Sequence, residues 1–514
     1  MTILYQKRLE QLVRSENNEL LNRIRHGIER EGLRVSNTAE LSTAHHPDSF
    51  GKALTHPYIT TDFSEALLEY ITPVYYNVDD ALGFLYELQS YTAQHFNQEL
   101  LWAGSMPCLL NGSDNIPIAK YGQSNIGKMK TIYRQGLSRR YGKAMQVIAG
   151  LHYNFSLPED IWPLLDLEPS EGYLALMRNF MRYSWLLMYC FGASPAVSRT
   201  FFADGGANSG LDSLGNTTLY LPHATSLRMS DMGYSNNAQS SLNICYNSLE
   251  EYADSLWDAI CTPYKAYQDI GVEVGGEYQQ LNTNLLQIEN EYYSTIRPKR
   301  IARSGEKPLT ALSRDGIEYI EVRCMDINPF NALGVSAQDA RFLDIFLFYC
   351  ALQESNTINV NECQEIKTNF SKTVLKGRCP DLTLNNSGTV CSLAAWGDDL
   401  LDQMLPVAQL LDIACKNTLF TKSLNLQRDK LRDSSKTPSA KIVAALERLD
   451  CEYTDLMLQL SKQHHSQFKA NPLSKERQQY LTQLAQRSKR DQELLEKTDT
   501  VSFATFLNNY QQAD

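Results

Sequence analysis

The stretch "GIEREGLRV", residues 27 to 35, places two glutamates on alternate positions of a run that otherwise has the composition of a β-strand. Successive side chains of a strand point to opposite faces, so Glu29, Glu31, Leu33 and Val35 share one face. The two carboxylates lie about 7 Å apart along that face. Like charges held this close repel each other, and the pattern therefore indicates a face that binds a cation.

Two later segments show the same alternation of polar and apolar residues. The segment "GLHYNFSLP" places His152 and Asn154 on a polar face, with leucine, tyrosine and phenylalanine on the other. The segment "GIEYIEVRCMDINP" places Glu321 and Arg323 on one face and apolar residues on the other. This pattern is typical of antiparallel strands with one polar and one buried face.

The segment "YITTDFSEALLEYITP", residues 58 to 73, can be interpreted in two ways. As a helix, it would place Asp62 and Glu69 two turns apart on one side. As two short strands, it would turn at Ser64-Glu65-Ala66. Isoleucine, threonine and tyrosine favour strands, and Pro73 closes the run, so the second interpretation is preferred.

The remainder of the chain predicts one large domain. Beyond about residue 338 the sequence is mainly helical, with apolar residues at three- and four-residue spacing between Ile442 and Leu460. The charged tail "SKERQQYLTQLAQRSKRDQELLEK" predicts a solvated helix rather than a binding patch. Because no repeat or linker interrupts the chain, we expect a single α+β domain over 1–514, with a sheet region over about 20–345 and a mainly helical portion over about 346–514.

Composition and charge exclude several classes of function. The 514 residues carry a formal net charge of -11, which argues against broad attraction to nucleic acid or to an anionic membrane. The 11 cysteines form no CxxC pair, so neither a zinc site nor a disulfide framework is predicted, and reduced thiols fit the cytosol. No apolar signal core and no run of about 18 apolar residues occurs. We therefore expect a cytoplasmic protein that binds neither nucleic acid nor a membrane.

Five carboxylates fall on strand faces of this kind. Brought together on one sheet they would be forced toward protonation unless cations held them, and Mg²⁺ or Mn²⁺ prefers such oxygen ligands. Taken singly, each carboxylate is more simply explained as a surface residue paired with a nearby arginine. His152 is a further candidate ligand, although a lone strand histidine is more often a hydrogen-bonded structural residue. The five carboxylates are Glu29, Glu31, Asp62, Glu69 and Glu321.

A basic segment offers a site for phosphate. The stretch "RPKRIARSGE" supplies Arg297, Lys299, Arg300 and Arg303, and Arg323 lies on the strand beyond. Arginine forks match phosphate oxygens, so this segment predicts contacts to a triphosphate, with a basic surface loop as the equally weighted alternative. The chain has no Walker A motif, no GxGxxG opening a helix and no GxSxG elbow, so those nucleotide-binding and hydrolase classes are unsupported.

Several tyrosines stand in polar surroundings. They are Tyr133, Tyr234, Tyr292 and Tyr293, and Arg228 lies near the second of them in the sequence. A pocket for a small amino acid needs an arginine for the carboxylate and a few hydroxyl groups, which this set would supply. Taken singly, such residues are more often packing residues.

Together these segments resemble the proteobacterial type of the glutamate-cysteine ligase family. They occur in order across about residues 20 to 345, and such a series is far more specific than a lone GxGxxG. The chain departs from the family at Gly32, where threonine is expected, without loss of a ligand. The segments that carry the resemblance are "GIEREGLRV", "ALTHPYITTDFSEALLEYITPV", "SMPCLL", "IYRQGLSRRYGKAMQVIAGLHYNFSLP", "FGASPA", "ATSLRMSDMGY", "LQIENEYYSTIRPKRIARSGE" and "GIEYIEVRCMDINPF".

The resemblance implies a fold similar to glutamine synthetase, in which a curved antiparallel sheet forms a funnel-shaped active site with helices outside. It implies that ATP and Mg²⁺ are used to join L-glutamate to L-cysteine, the first step of glutathione synthesis. Glutathione would be a feedback inhibitor, and we expect the protein to be a monomer. Two rival functions stay open: ligation of glutamate to a different amine, and a non-catalytic nucleotide or glutathione sensor on the same fold.

The resemblance also assigns roles to residues. Arg323 would contact the transferred phosphoryl group and, with Glu31, would be catalytic. Together with the basic segment, whose composition predicts nucleotide contacts at Arg297, Arg300 and Arg303, Arg323 would complete the nucleotide site. The metal ligands would be Glu29, Glu31, Asp62, Glu69, His152 and Glu321. The cysteine pocket would be lined by Phe63, Tyr133, Leu137, Gln146, Arg228, Tyr234 and Tyr293.

Overall fold

The stretch "GIEREGLRV" lies within a twelve-residue strand, β1 (Arg25–Ser36), at the middle of the main sheet. The computed structural model describes residues 2–14, 18–203, 210–233, 238–239, 242, 244–303 and 306–512. Within this part of the chain the main sheet also contains β2 (Ile59–Thr61), β3 (Leu67–Ile71), β4 (Glu99–Leu101), β5 (Leu151–Ser156), β11 (Ile296–Lys299) and β12 (Tyr319–Met325). These seven strands are antiparallel, in the order β11-β12-β5-β1-β3-β2, with β4 paired to the end of β1.

Smaller hairpins account for the other described strands. A three-stranded sheet and two two-stranded hairpins lie outside the main sheet. Their strands are β6 (Ala196–Ser198), β7 (Asp212–Leu214), β8 (Thr218–Tyr220), β9 (Glu273–Val274), β10 (Glu277–Tyr278), β13 (Thr383–Asn386) and β14 (Thr389–Ser392).

Helices surround the main sheet and continue to the C-terminal end of the described chain. In chain order the described α-helices are α1 (Ile3–Val13), α2 (Val78–His95), α3 (Asn125–Tyr141), α4 (Ile161–Leu164), α5 (Pro169–Phe191), α6 (Leu249–Cys261), α7 (Lys265–Ile270), α8 (Pro308–Asp315), α9 (Ala337–Leu352), α10 (Val360–Lys376), α11 (Leu393–Ala414), α12 (Leu419–Arg432), α13 (Pro438–Leu449), α14 (Tyr453–Ala470), α15 (Lys475–Thr498) and α16 (Phe503–Gln512). No described helix combines the length and the apolar character needed to cross a bilayer.

The two faces of the main sheet differ as the alternation predicts. Ile28, Tyr153, Ile320 and Val322 are fully buried in one large apolar core. Helix α2 packs on β1 and β3, and helix α5 packs on β11 and β12, which covers this apolar face. The opposite face carries the polar residues of the same strands and borders a large cleft. The predicted α+β class with an antiparallel sheet is confirmed.

The segment from 58 to 73 forms strands, as its composition favours. Strands β2 and β3 pair antiparallel with Thr60 opposite Glu69, and the chain turns between them at residues 62 to 66. The helical periodicity near the C-terminal end is interrupted at Asp450. This residue adopts a left-handed conformation that ends α13 and lets α14 start in a new direction.

The charged tail forms helix α15, and it is not solvated all round. Leu481, Ala485, Ser488 and Gln492 are buried at spacings of three and four residues. They pack this helix against α2 and the short turn near residue 48. One face of the helix is therefore part of the core, while the remaining faces carry its charges.

Candidate functional site

A cleft of about 820 Å³ opens on the polar face of the sheet. All six predicted metal ligands line it, from four different strands and the turn after β2. Eight of the other predicted site residues line it as well. These are Phe63, Tyr133, Leu137, Gln146, Arg228, Tyr293, Arg297 and Arg323.

Strand register brings the acidic residues together. Glu31 on β1 is paired directly with Glu69 on β3, and Glu29 is paired with His152 on β5. Directly opposed side chains in an antiparallel pair have Cβ atoms about 5 Å apart. Two carboxylates in such a pair repel each other, so the register itself creates a requirement for positive charge between them.

Three side chains meet at the centre of the cleft. His152 Nδ1 lies 3.2 Å from Glu29 Oε2 and 3.4 Å from Glu321 Oε1. One donor atom from each of these three residues lies within 4.8 Å of the other two, a spacing that could hold a metal ion. Asn154 Nδ2 donates to Glu29 Oε1 at 2.8 Å and orients that carboxylate.

The charge balance differs between the two ends of this acidic cluster. At one end, Arg323 Nη1 and Lys299 Nζ lie 2.9 Å and 3.4 Å from the two oxygens of Glu321. Burial opposes ionisation of Glu321, but these cations and His152 hold its pKa well below the ordinary value. Burial also opposes ionisation of Glu29, whose pKa is nevertheless lowered by its hydrogen bond to His152 and by that residue's charge.

At the other end, the chain's own cations do not balance the carboxylates. Burial raises the pKa of Glu31, although the backbone N–H of Gly150 donates to its Oε2 at 2.6 Å. Burial and the charges of Glu29, Asp62 and Glu31 raise the pKa of Glu69 well above the ordinary value. Within the described chain, Glu69 forms no ion pair with a basic side chain. This end of the cluster is therefore the part that a bound cation would stabilise most.

The donor set fits a hard divalent cation. It consists of carboxylate oxygens and one imidazole nitrogen, with no thiol among the residues that line the cleft. Oxygen-rich sets of this kind suit Mg²⁺ or Mn²⁺ rather than a soft metal.

A basic and aromatic wall faces the acidic cluster, and the sequence indicates only part of it. Lys130, Tyr133, Arg134, Leu137 and Tyr141 line the cleft from α3, at spacings of three and four residues that place them on one face of the helix. The spacing can be read in the sequence, but the resemblance singles out only Tyr133 and Leu137. Burial, followed by the charge of the nearby arginine, lowers the pKa of Lys130 to about 8.

The four basic residues after residue 296 fall into two groups, one on strand β11 and one beyond its end. Arg297 and Lys299 alternate along β11 and both line the cleft. Arg300 and Arg303 lie beyond the strand and do not line it. Arg300 Nε donates to the carbonyl of Gly316 at 2.6 Å, and Arg303 is exposed. Their predicted nucleotide contacts therefore have no support from the cleft, because alternation no longer directs the side chains once the strand has ended.

The predicted amino-acid pocket is apolar on one side. Phe63, Leu137 and Ile148 are buried side chains that line the cleft together. Arg228 is buried and also lines the cleft, and its Nη2 donates to the carbonyl of Arg323 at 2.9 Å. Gly150 permits this approach, because a Cβ atom there would lie 2.1 Å from the same nitrogen. Tyr234, also predicted for this pocket, lies outside the described residues.

Glu291 organises a part of the wall that the sequence did not indicate. Its carboxylate accepts hydrogen bonds from Tyr141 at 2.5 Å, from Arg140 at 3.1 Å and from the backbone of Gln287 at 2.6 Å. Because Arg140 and Tyr141 lie about 150 residues from Glu291, no local sequence motif indicates the network. It fixes the tyrosine hydroxyl at the edge of the cleft.

Comparisons with known proteins agree with this geometry. The sequence profile of the glutamate-cysteine ligase family matches residues 9–373. The glutamate-cysteine ligase of Azotobacter vinelandii is 48% identical to this chain over 99% of the chain and 98% of its own length. That of Pseudomonas aeruginosa is 47% identical, over 99% of this chain and 98% of its own length.

Two solved structures extend the likeness to three dimensions. The glutamate-cysteine ligase of Francisella tularensis, in complex with AMP, has a TM-score of 0.91 and 35% identity, covering 95% of this chain and 98% of its own. A bifunctional glutathione synthetase from Pasteurella multocida has a TM-score of 0.69 and 26% identity, covering 91% of this chain and 55% of its own. The chain therefore belongs to the glutamate-cysteine ligase family and is a ligase enzyme.

Proposed function

We propose that the protein joins the γ-carboxylate of L-glutamate to the amine of L-cysteine at the expense of ATP, giving γ-glutamylcysteine, ADP and phosphate. This reaction is the first step of glutathione biosynthesis. The observation that carries the proposal is the meeting of six acidic or imidazole side chains with Arg323 in one cleft. Family membership supplies the substrates, since the relatives are named glutamate-cysteine ligases.

The chemistry requires activation of a carboxylate, which is a poor acyl donor because its leaving group would be oxide. ATP first phosphorylates the γ-carboxylate of glutamate, and the amine of cysteine then displaces phosphate from the acyl phosphate to form the amide. Phosphoryl transfer asks a protein to position reactants and to balance developing negative charge. No covalent nucleophile on the chain is needed.

The acidic cluster would hold Mg²⁺, with Mn²⁺ as a substitute. When bound, such ions neutralise phosphate charge and orient the oxygens of ATP. Glu31 and Glu69 are the ligands with the strongest requirement for a cation, since their pKa values are raised in the chain alone. Glu29, Asp62, His152 and Glu321 would complete the set.

The basic residues of the cleft would receive the phosphates. Arg323 is held by Glu321 at 2.9 Å, so its fork is positioned at the edge of the acidic cluster, where it would contact the transferred phosphoryl group. Arg297 and Lys299 line the cleft beside it. Arg300 and Arg303, which lie outside the cleft, would take no part in phosphate binding.

The apolar wall would receive the cysteine side chain. Discrimination between cysteine and an amino acid lacking sulfur depends on packing worth about 1–3 kcal/mol. Phe63, Leu137 and Tyr133 are suited to that task. Gln146, Arg228 and Tyr293 would supply polar contacts, and Tyr234 stays an expectation from the resemblance.

Substitution Glu31→Gln tests the metal-site assignment. It removes a charge without changing shape, so ATP turnover should fall by at least about 1000-fold while the thermal unfolding midpoint stays close to that of the parent. The readout is ADP release in the presence of glutamate, cysteine and Mg²⁺. The matched control, Glu159→Gln at an exposed position after β5, should retain activity. Near-parental turnover by Glu31→Gln would refute the assignment.

A panel of acceptor amines tests the substrate assignment. ADP release is measured with cysteine, 2-aminobutyrate, alanine and ammonia. The proposal expects the highest kcat/KM with cysteine. Equal or better turnover with another amine would identify that amine, rather than cysteine, as the substrate. Absence of turnover with any acceptor would favour a non-catalytic sensor.

Four further properties complete the proposal. A single domain is supported by one apolar core that includes residues from Tyr5 to Leu481. A cytoplasmic location is supported by the cysteines, all of which are free. Feedback inhibition by glutathione and a monomeric state are to be tested by inhibition kinetics and by sedimentation.

A further inference from the structure

The reverse side of strand β1 carries a buried arginine that forms no ion pair within the described chain. Arg30 lies between Glu29 and Glu31 but points away from the cleft, and it is only 2% exposed. Within the described chain its guanidinium makes one hydrogen bond, from Nη2 to the carbonyl of Trp102 at 3.4 Å. Its Nε and Nη1 are buried and have no hydrogen-bond partner. No described carboxylate lies within ion-pair distance of it.

Arg30 borders a small cavity of about 20 Å³, behind the sheet and apart from the substrate cleft. This volume accommodates one water-sized ligand and is too small for sulfate or phosphate. Most of its wall is apolar, and its remaining polar lining consists of Gln89, Ser461, His464 and His465. A charge buried in such surroundings is costly unless it is paired.

The unpartnered polar atoms around the cavity are mostly hydrogen-bond donors. Gln89 is 2% exposed, and neither its Nε2 nor its Oε1 has a partner in the described chain. Arg30 Nε carries one N–H group, and Arg30 Nη1 and Gln89 Nε2 carry two each. The unpartnered acceptors are Gln89 Oε1 and Nδ1 of His464, whose Nε2 lies 2.8 Å from the carbonyl of Pro329. Donors therefore outnumber acceptors, and what the cavity lacks is an acceptor.

Gly32 leaves the space that the guanidinium of Arg30 occupies. A Cβ atom at this position would lie 2.2 Å from Arg30 Nη1 and 2.8 Å from Leu101 Cδ1. The side chain of Arg30 therefore folds back over its own strand, a position that any larger residue at 32 would obstruct. Gly334 borders the guanidinium from the turn before α9, where a Cβ would be 3.6 Å from Arg30 Nε.

We propose that this cavity binds a single monatomic anion of the halide class, chloride in ordinary buffers, between Arg30 and Gln89. An anion accepts hydrogen bonds from the surrounding donors and also supplies the missing negative charge. A water molecule would accept hydrogen bonds but would supply no charge. The bound ion would join β1 to α2 and α14 from behind. It would thus stabilise the strand that carries the two central carboxylates, and the proposal is independent of the reaction that they catalyse.

Solution measurements test the proposal on the full-length protein. Thermal unfolding is compared in sodium chloride and in sodium gluconate at equal ionic strength, since gluconate is too large for the cavity. A specific site predicts a midpoint about 2 °C higher in chloride at a hundredfold excess over Kd. The variant Gln89→Leu, which keeps Arg30, should lose most of that difference, and Arg30→Met should lose all of it.

A matched control separates a site from a general salt effect. Gln427, which is 1% exposed and lies on α12 away from the cavity, is replaced by leucine in the same way. Gln427→Leu should keep the full chloride difference. An equal difference in all variants, or no difference in the parent, would overturn the proposal. If Arg30→Met does not fold, Gln89→Leu and the control decide the result.

Crystals grown in sodium bromide provide a direct view, because bromide scatters anomalously. The proposal expects one bromide peak within hydrogen-bond reach of Arg30 Nη1 and Gln89 Nε2. A water-sized peak without anomalous signal would overturn it. A bromide peak unaccompanied by any halide dependence of stability would mean an adventitious ion only, and this outcome also counts against the proposal.

Discussion

Adjacent residues on the same strand show how differently the two faces of the sheet are stabilised. Ile320 and Glu321 are both almost completely buried, at 0% and 1% exposure. The isoleucine packs into the apolar core, whereas the carboxylate is surrounded by Arg323, Lys299 and His152. Burial alone therefore does not distinguish a structural position from a functional one. The distinguishing feature is what surrounds the buried group, so a substitution on one face should leave the other face intact.

The largest effect is expected for Arg323→Met on the cleft face. Loss of an arginine that balances transition-state charge costs about 1000-fold or more in turnover. The control is Arg300→Met, at a basic residue just beyond β11 and outside the cleft, which should stay within about twofold of the parent. The measurement is kcat for ADP release. A comparable loss in both variants would show that Arg300 also contributes to turnover and that its exclusion from phosphate binding is wrong.

On the opposite face, Ile320→Ala should reduce the free energy of unfolding by about 2–5 kcal/mol, because it leaves a cavity in a packed core. Activity of the folded protein should change little. Chemical denaturation measures the first quantity and kcat below the unfolding transition measures the second. Ile301→Ala, at a side chain that is 70% exposed, serves as the control and should change stability by no more than about 0.5 kcal/mol. A large loss of kcat in Ile320→Ala would show that the faces are coupled.

A smaller effect is expected for Leu137→Ala, which removes part of the apolar wall. We expect kcat/KM for cysteine to fall about tenfold, because loss of methylene contacts in a pocket weakens transition-state binding by about 1–3 kcal/mol. ADP release in the absence of cysteine, if detectable, should be unaffected. A proportional fall with every acceptor amine would place this leucine in general packing rather than in recognition of the side chain.

The smallest effect is expected for Glu69→Gln. The informative result is whether the substitution raises or lowers the free energy of unfolding. Removal of one of several repelling carboxylates should raise the stability of the metal-free protein by about 1 kcal/mol, since the side chain is partly exposed and screened. The same change should raise the Mg²⁺ concentration needed for half-maximal activity. Exposed Glu493→Gln is the control for both measurements. Destabilisation by Glu69→Gln would contradict the interpretation of an uncompensated cluster.

Strand periodicity accounts for the part of the site that could be predicted from the sequence. Alternation placed Glu29 and Glu31 on one face, and the same rule placed His152, Glu321 and Arg323 on the cleft side of their strands. Periodicity did not identify the partners across the sheet, such as Glu31 opposite Glu69, because register depends on contacts between distant segments.

Other features required tertiary information. Lys130 and Arg134 were readable as part of one helix face, but nothing local indicated that this face borders the cleft. Composition does not reveal where a strand ends, so it could not indicate that Arg300 and Arg303 lie beyond β11 and outside the lining of the cleft. The hydrogen bonds of Glu291 join segments about 150 residues apart, beyond the reach of any motif.

The order of strands in the main sheet has a consequence for how the protein acquires activity. The acidic cluster combines β1 from residues 25–36, β3 from 67–71, β5 from 151–156 and β12 from 319–325. Pairings of such high sequence separation form slowly, because long loops must close before any contact is gained. A nascent chain on the ribosome therefore cannot assemble the acidic cluster until synthesis has passed residue 325, well into the second half of the 514-residue chain.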